Sequence, residues 1–355
     1  MTINQKNLLI DIGHPAHVHL FRHAIHHWQD RGYQITITIR DKDLTKQLLD
    51  LYGFHYAVAS VARHSTPGLA IELLEHDWGV YKAAKKTNSY LLMGTSVAIS
   101  HAARLLGAKS MVFNEDDKAA VPTFVRLAYP LADAIVTPDC LHEDYGHRHI
   151  KYRGYQKLAY LHPNEFTPNP KVLSKLGVSM GEPYFLLRFV ALNAAHDKGQ
   201  VGLSQSVRRR ILDTLLAHGR VFITSERTLP DEFEPYRFPI SPVDMHDALA
   251  FAKLLVSDSQ TMTAEAAILG TPAIRCNSFV GRISYLEELE HRYELTYGFL
   301  PSDSEKMLSS VEKLITLPNI KETWRERREK MLSEKIDVTS WMVKLVEDFG
   351  QTKLS

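Results

Sequence analysis

The 355-residue chain has only two cysteines, Cys140 and Cys276. Two cannot build a disulfide framework or a cysteine-based zinc site. Net charge is almost absent as well, since 42 Lys+Arg against 41 Asp+Glu leave +1. That balance argues against nucleic-acid binding driven by overall charge. No apolar run approaches the roughly 18 residues of a membrane span. The start, MTINQKNLLIDIGHP, lacks the charged segment and long apolar stretch of a secretory signal. No G-x-G-x-x-G follows the first strand of either half, which disfavours a nicotinamide dehydrogenase. The expectation is a cytoplasmic protein with no nucleic-acid partner. Histidine alone is in surplus, with 18 in total and six between His14 and His27.

The length suggests two domains at roughly 150 residues each. Asn7–Ile12 is a short apolar run followed by Gly13-His14-Pro15. Residues 17–31 then read as a helix that stops at Arg31-Gly32. Gln34–Ile39 alternates and is β-branched, so it reads as a strand. Similar short runs recur at Ser89–Met93, Lys109–Phe113 and Asp133–Thr137, with helical stretches between them. From Tyr155 to Pro170, clustered prolines and asparagines mark a crossover. Beyond it, Tyr184–Phe189, Arg220–Thr224, Arg237–Ile240, Leu254–Ser257 and Pro272–Cys276 read as strands. Residues 303–316, 320–335 and 338–349 read as terminal helices. Strands alternating with helices imply parallel sheets covered on both faces, where ligands bind beyond the carboxyl ends of the strands.

Leu254 to Pro272 is the best phosphate cradle in the chain. A strand enters a polar turn, Ser257-Asp258-Ser259-Gln260-Thr261-Met262, that opens a helix. The first helical N–H groups lack internal partners and the helix dipole is positive there, so an anion is favoured. Ser257, Ser259 and Thr261 add hydroxyls. Glu265 lies one turn after Thr261 on the same face, placed for a ribose diol. The plainer reading is an ordinary Ser or Asp helix cap, which accounts for one or two of these residues.

SDSQTMTAEAAILGTPAIR resembles the donor-diphosphate motif of GT-B glycosyltransferases and of their relatives, the non-hydrolysing UDP-N-acetylglucosamine 2-epimerases. The resemblance implies a diphosphate role for Ser259, Gln260 and Thr261 and a ribose role for Glu265. The epimerases carry Gly-Gly and paired Glu here, where this chain has Gln260-Thr261 and a single Glu265. His17-Val18 and the helix closing at Arg31-Gly32 resemble the first loop and helix of MurG-like and plant-type GT-B transferases. That resemblance implies an acceptor-side base at His17, with His14 in the turn as the rival. The whole pattern, including DIGHPAHVHLF and YQKLAYLHP, also resembles a family of predicted GT-B proteins known only as a domain of unknown function. The implied architecture is α/β and GT-B-like, with two facing Rossmann-like parallel-sheet domains and a C-terminal helical tail. Residues 1–160 would form the acceptor domain and 161–335 the donor domain, with 336–355 crossing back to the first.

Further residues have both a functional and a plainer reading. Arg188, at the end of a strand, can neutralise a departing diphosphate or form an interdomain salt bridge, and His196 in the following loop can assist it. Ser225 and Glu226 follow a strand and border the expected nucleotide. Met245 and His246 fall in the Ser241–His246 loop, where GT-B enzymes hold the base; core packing or capping is the alternative. Glu115 and Asp116, within Asn114–Asp117, are acceptor-binding candidates, alternatives to His17 as the base, or members of a solvated acidic loop. Thr95 and Ser96 read as possible caps. His19 and His23, with His26 or His27, have spacing that can ligate zinc, but no carboxylate or cysteine completes a set. Asp41-Lys42-Asp43 matches a metal-binding DxD only as a string, and an acidic turn is the plainer reading. No metal and no cofactor are expected, the nucleotide sugar being a co-substrate.

The leading expectation is therefore a metal-independent glycosyltransferase. It would use a nucleotide-diphospho-sugar, UDP-linked, and a glycan or lipid-linked acceptor, in glycan or polysaccharide biosynthesis. Peripheral membrane association, at the inner face, goes with a lipid-linked acceptor. A sugar-nucleotide 2-epimerase or hydrolase and a non-catalytic nucleotide-sugar-binding protein are the competing classes.

Overall fold

The computed structural model describes residues 6–42, 44–63, 66–189, 203–225 and 228–351, without the side chains of Thr66, Pro67 and Gln351. The chain divides into two compact units, residues 1–160 with 336–355 and residues 161–335.

The first unit is built on a seven-stranded, wholly parallel sheet. Its strands are β1 (Asn7–Ile12), β2 (Gln34–Asp41), β3 (Ala57–Val61), β4 (Leu91–Gly94), β5 (Lys109–Phe113), β6 (Ala134–Pro138) and β7 (His149–Tyr152). Their order is β3-β2-β1-β4-β5-β6-β7. The chain builds outward from β1 to β3, then returns to the other side of β1 with β4. Asp11 of β1 lies in register with Gly94 of β4, so the topological switch point falls between these two strands. A side chain at Gly94, where φ is +153°, would collide with the Asp11 carbonyl; glycine is what lets the two strand ends close up. The helices that matter here are α1 (Pro15–Asp30), α2 (Thr45–Leu51), α3 (Thr66–Thr87), α4 (Val97–Leu106) and α5 (Pro122–Ala128).

The second unit has a five-stranded parallel sheet. Its strands are β8 (Tyr184–Phe189), β9 (Arg220–Ser225), β10 (Leu254–Ser257), β11 (Ala273–Cys276) and β12 (Thr296–Phe299), in the order β12-β11-β10-β8-β9. Its switch point lies between β8 and β10, where Arg188 and Ser257 are in register. The short helix α6 (Leu158–Leu161) spans the boundary between the units, and α7 (Lys171–Leu176), α8 (Gln205–Leu216), α9 (Met245–Phe251), α10 (Gln260–Leu269), α11 (Ser284–His291), α12 (Ser304–Thr316) and α13 (Ile320–Glu334) follow in chain order. One face of the sheet packs Leu186, Leu255 and Ala273 against apolar residues of α7, α9 and α10.

The tail helix α14 (Val338–Gln351) packs on α1. Arg31 pairs with Glu347 at 3.0 Å, Thr339 Oγ1 donates to the Ala159 carbonyl at 2.6 Å, and Ile336 N–H donates to the Arg153 carbonyl at 2.8 Å.

Arg237–Ile240, expected as a strand, is not one. It makes a single bridge, Arg237 to Ile223, and Pro239 lacks the N–H that would extend a ladder. Three strands, β3, β7 and β12, escape the sequence pattern; all are four or five residues long and lie at sheet edges.

Candidate functional site

In the second unit the turn between β10 and α10 is built by its own serines. Ser257 Oγ accepts from Ser259 N–H at 2.8 Å. Ser259 is the N-cap of α10, and its Oγ accepts from Met262 N–H at 3.3 Å. Both hydroxyls thus serve the turn as acceptors, as in ordinary capping, and keep one O–H proton each to donate. Ser257 also directs its proton toward the Ser259 carbonyl, 3.4 Å away. The cap leaves Gln260 and Thr261, whose N–H groups have no acceptor within the helix. Ser259, Gln260 and Thr261 are half-buried and accessible, whereas Met262 to Ile268 are buried. The three residues expected at a diphosphate are therefore the ones a ligand can reach.

Behind that helix start, two candidates from separate segments meet. His246 of α9 and Glu265 of α10 are both buried, and His246 Nε2 lies 3.2 Å from Glu265 Oε1. The hydrogen bond fixes the carboxylate on the face of α10 that follows Thr261. Arg188 donates Nη1 to Thr224 Oγ1 at 3.1 Å and stands beside Ser257 across the sheet. Ser225 ends β9 opposite Phe189. Met262 is buried and Met245 packs against the same apolar cluster, so both methionine side chains belong to the core rather than to a ligand surface. Asp258 is also turned inward. Its carboxylate meets Arg208 of α8 at 3.3 Å, and its carbonyl accepts from Asn277 Nδ2 at 2.9 Å. His196 and Glu226 lie outside the described residues.

In the first unit, the loop after β1 carries the histidine pair. His14 is the N-cap of α1, and its Nδ1 accepts from Ala16 N–H at 3.2 Å. The rings of His14 and His17 lie 5.9 Å apart. His17 takes no part in capping with its side chain, and its buried Nδ1 has no hydrogen-bond partner among the described residues. Burial first, then His14 beside it, pushes its pKa down to about 3, with Lys157 and Lys42 adding to the effect and Asp11 opposing it. The imidazole is therefore neutral at physiological pH, with an unused ring nitrogen.

Beneath it Asp11, fully buried, accepts from Thr38 Oγ1 at 2.7 Å and contacts His76 Nε2 at 2.8 Å. His76 Nδ1 in turn meets Ser60 Oγ at 2.7 Å. This Asp11–His76–Ser60 chain ties β1, α3 and β3 together under the switch point. Across that point, among the described residues, Ser96 holds the N-cap position of α4 without a side-chain cap bond, and Thr95 Oγ1 is buried without a partner.

Glu115 is neither a solvated loop acid nor an open acceptor contact. It forms an ion pair with the buried Lys157, and its Oε2 accepts from Gln156 N–H at 3.1 Å. Its chemistry is spent on holding the end of β5 to the segment before α6. Asp116 joins a local turn in which its N–H donates to Asn114 Oδ1 at 3.1 Å and its carbonyl accepts from Asn114 Nδ2 at 2.8 Å.

The α1 histidines turn to different neighbours. His19 Nδ1 is 3.4 Å from Tyr52 Oη, His23 Nε2 accepts from Arg22 Nε at 3.0 Å, and His26 stacks on Phe54. Asp41 meets Lys46 at 3.5 Å, while Asp43 lies outside the described residues.

The family described as "Protein of unknown function (DUF354)" matches residues 6–288. The chain belongs to this DUF354 family. One relative is the uncharacterized protein MJ0665 of Methanocaldococcus jannaschii, 23% identical over 295 residues that cover 79% of this chain and 84% of that protein. Among solved structures, the chain is similar to S. aureus MnaA, solved with UDP, at a TM-score of 0.69 and 10% identity, over 99% of this chain and 98% of that one. It is also similar to the glycosyltransferase VinC in complex with dTDP, at a TM-score of 0.59 and 12% identity, over 97% of this chain and 100% of that one. These likenesses establish the fold: this DUF354 chain is GT-B-like, with two parallel-sheet α/β domains and a C-terminal helical segment.

Each unit also holds residues near these loops that sequence reasoning passed over. Arg275 of β11 is completely buried beside Ser257, on the opposite side from Arg188. Its Nε and Nη1 have no partner among the described residues, and its Nη2 reaches Glu287 at 3.3 Å. A sequence signal existed, because an arginine interrupting the apolar end of a central strand must have a reason to be buried. Arg208, Asn277 and Lys157 gave no such signal, since their partners are 19 to 50 residues distant, or 42 for Lys157.

Proposed function

We propose that this protein is a glycosyltransferase using a nucleotide-diphospho-sugar, UDP-linked, without a metal, in glycan or polysaccharide biosynthesis. The observation that carries this reading is the start of α10 at the β8/β10 switch point. Ser259, Gln260 and Thr261 are half-buried there, two of their N–H groups lack an acceptor within the helix, and the Glu265 carboxylate is fixed by His246 one turn further on. An anion belongs at the helix start and a diol at the carboxylate. Arg188 supplies a cation at the same strand end for the charge that develops on the leaving diphosphate. His17, held neutral by its low pKa, is the base for an acceptor hydroxyl in direct, inverting displacement.

The test is a thermal-shift panel of nucleotides and nucleotide sugars. UDP at 100 times its Kd should stabilise the protein by roughly 2.7 kcal/mol. Glu265→Gln should weaken UDP by about tenfold or more, as loss of a hydrogen bond to a charged group does, while the ligand-free melting temperature changes little. No shift with any uridine or thymidine diphosphate would overturn the reading. Incubating one nucleotide sugar without acceptor separates the enzyme classes. A new nucleotide sugar or free sugar would signify an epimerase or hydrolase, and binding with no turnover under any acceptor would signify a sensor.

A lipid-linked acceptor fits the outer face of α3. Ile71, Leu74 and Trp78 follow one another at helical spacing and are 48%, 70% and 59% exposed. Trp78 stacks on Tyr81, and the ammonium groups of Lys82 and Lys85 lie over these two rings. An exposed apolar stripe running into lysines suits the surface of an anionic bilayer. No helix among the described residues is long and apolar enough to cross a membrane. The protein should co-sediment with phosphatidylcholine vesicles containing phosphatidylglycerol, and less with phosphatidylcholine alone. Trp78→Glu should abolish this. A protein that stays in the supernatant with both vesicles has no such surface.

A further inference from the structure

The first unit has a second concave region at the opposite edge of its sheet, where the strands begin. A cavity of about 450 Å³ is lined by Arg104 at the end of α4, by Pro130–Asp133 before β6 and by His147 and Arg148 before β7. A second hollow of about 360 Å³ shares Pro130 and Arg148 with it and is otherwise lined by Val125, Tyr129, Ile135 and Tyr145. One hollow is cationic and its neighbour is apolar and aromatic, with Arg148 as the common wall.

The charge in the first cavity is not spent internally. Arg148 Nη1 donates to the Pro130 and Ala132 carbonyls at 3.1 and 2.8 Å, which fixes the guanidinium and leaves its other N–H groups over. Arg104 and His147 make no hydrogen bond or ion pair among the described residues. The only acid in the lining, Asp133, is already satisfied by Lys109 Nζ at 3.0 Å, Ser110 N–H at 2.9 Å and Ser110 Oγ at 3.2 Å. Two guanidinium groups and an imidazole therefore face the space with no acid free to answer them. In the adjoining hollow, Tyr129 and Tyr145 pack edge to face at 4.7 Å and offer an apolar wall. On the rim of the cationic cavity Leu131 is 40% exposed, so apolar surface continues to the solvent.

We propose that these two hollows form one site for an amphiphilic phosphate monoester. The phosphate sits between Arg104, His147 and Arg148, whose planar forks suit its oxygens. The hydrocarbon lies along Tyr129 and Tyr145. Within the first unit the site stands apart from His14, His17, Glu115 and Asp116, which follow the carboxyl ends of β1 and β5, and it holds whether or not the transferase reading does.

The experiment is calorimetric titration of the full chain with octyl phosphate below its micelle-forming concentration. Inorganic phosphate and octyl glucoside are titrated in parallel. Octyl phosphate should bind at one site and at least tenfold more tightly than inorganic phosphate, because each buried methylene adds affinity. Arg104→Gln should weaken it about five- to tenfold, with the ligand-free melting temperature unchanged, since Arg104 makes no hydrogen bond or ion pair among the described residues. Equal affinity for octyl and inorganic phosphate would reduce the site to a phosphate pocket and overturn the proposal. Equal binding of octyl glucoside, an Arg104→Gln variant that binds as the native chain does, or no binding at all would overturn it as well.

Discussion

His17→Ala should leave UDP affinity within about twofold of the native protein and lower turnover of the nucleotide sugar by roughly 100-fold or more, as removal of a general base does. The argument rests on an unusual histidine. Its Nδ1 is buried with no partner among the described residues, and burial with His14 alongside holds its pKa at about 3. A group with that pKa is already in its basic form at every pH where the protein is handled. The profile of kcat/KM against pH should therefore show no acidic limb near 6.5, the ordinary histidine value, and should fall only as the pH nears 3. The two measurements separate the candidates. A large loss in His17→Ala with a flat profile assigns the base to His17. A limb near 6.5 with an active His17→Ala variant removes His17 from the mechanism, and His14, whose Nδ1 serves the helix cap, is the next to replace. The low pKa also makes His17 a weak base, since proton transfer is most effective when the pKa lies near the working pH. The departing diphosphate must then be well stabilised at the α10 N-terminus and Arg188 for the step to be fast.

Much of the fold follows from local pattern. β1, β5, β8 and β10 begin and end where their apolar runs do, because strands covered on both faces carry little besides Val, Ile, Leu and Phe. Edge strands obey weaker rules. Ala57–Val61 and Thr296–Phe299 are short and half-exposed, so neither length nor alternation marks them. Arg237–Ile240 shows the opposite error, since a short run containing Pro239 lacks the N–H that would extend a ladder.

The turn between β10 and α10 was legible because its residues are adjacent in sequence: Ser257 ends the strand, and Gln260 to Glu265 lie in the helix that Ser259 caps. The pairing of Glu265 with His246 was not, although both residues were candidates. It depends on α9 and α10 packing together, and no spacing rule spans 19 residues between helices. Glu115 was misread for a related reason. A run of acids after a strand reads as solvated until a buried lysine 42 residues later is found against it.

Asp11→Ala should cost about 3–5 kcal/mol of unfolding free energy, the usual loss when one member of a buried, hydrogen-bonded ion pair is removed. Nothing in NLLIDI announces this, since its partners come from β2 and α3. The carboxylate is completely buried, accepts from Thr38 and faces His76. Burial alone would raise its pKa, but the charge and hydrogen bond of His76 and the Thr38 hydroxyl outweigh it, and the value lies below 3.8. His76 shows the converse. Burial works against its charge, Asp11 outweighs burial, and its pKa lies above 6.5. Asp77 adds to the upward pull, and Arg40 opposes it.

These directions fix the sign of the pH dependence. The stability that comes from the raised His76 pKa is fully present below about 6.5, its unfolded value, and disappears as pH rises through the folded value. The stability that comes from the lowered Asp11 pKa is present above about 3.8 and disappears as pH falls through the folded value. The pair therefore contributes most between about pH 4 and 6.5. Urea unfolding of the native chain and of His76→Gln should show the widest gap in that interval, closing as the pH is raised toward 9. His76→Gln leaves a side chain able to donate to Asp11, so it should fold even if Asp11→Ala does not. A gap that stays constant or widens above pH 7 would mean that His76 is neutral beside Asp11 and that the end of β1 is held by hydrogen bonds alone.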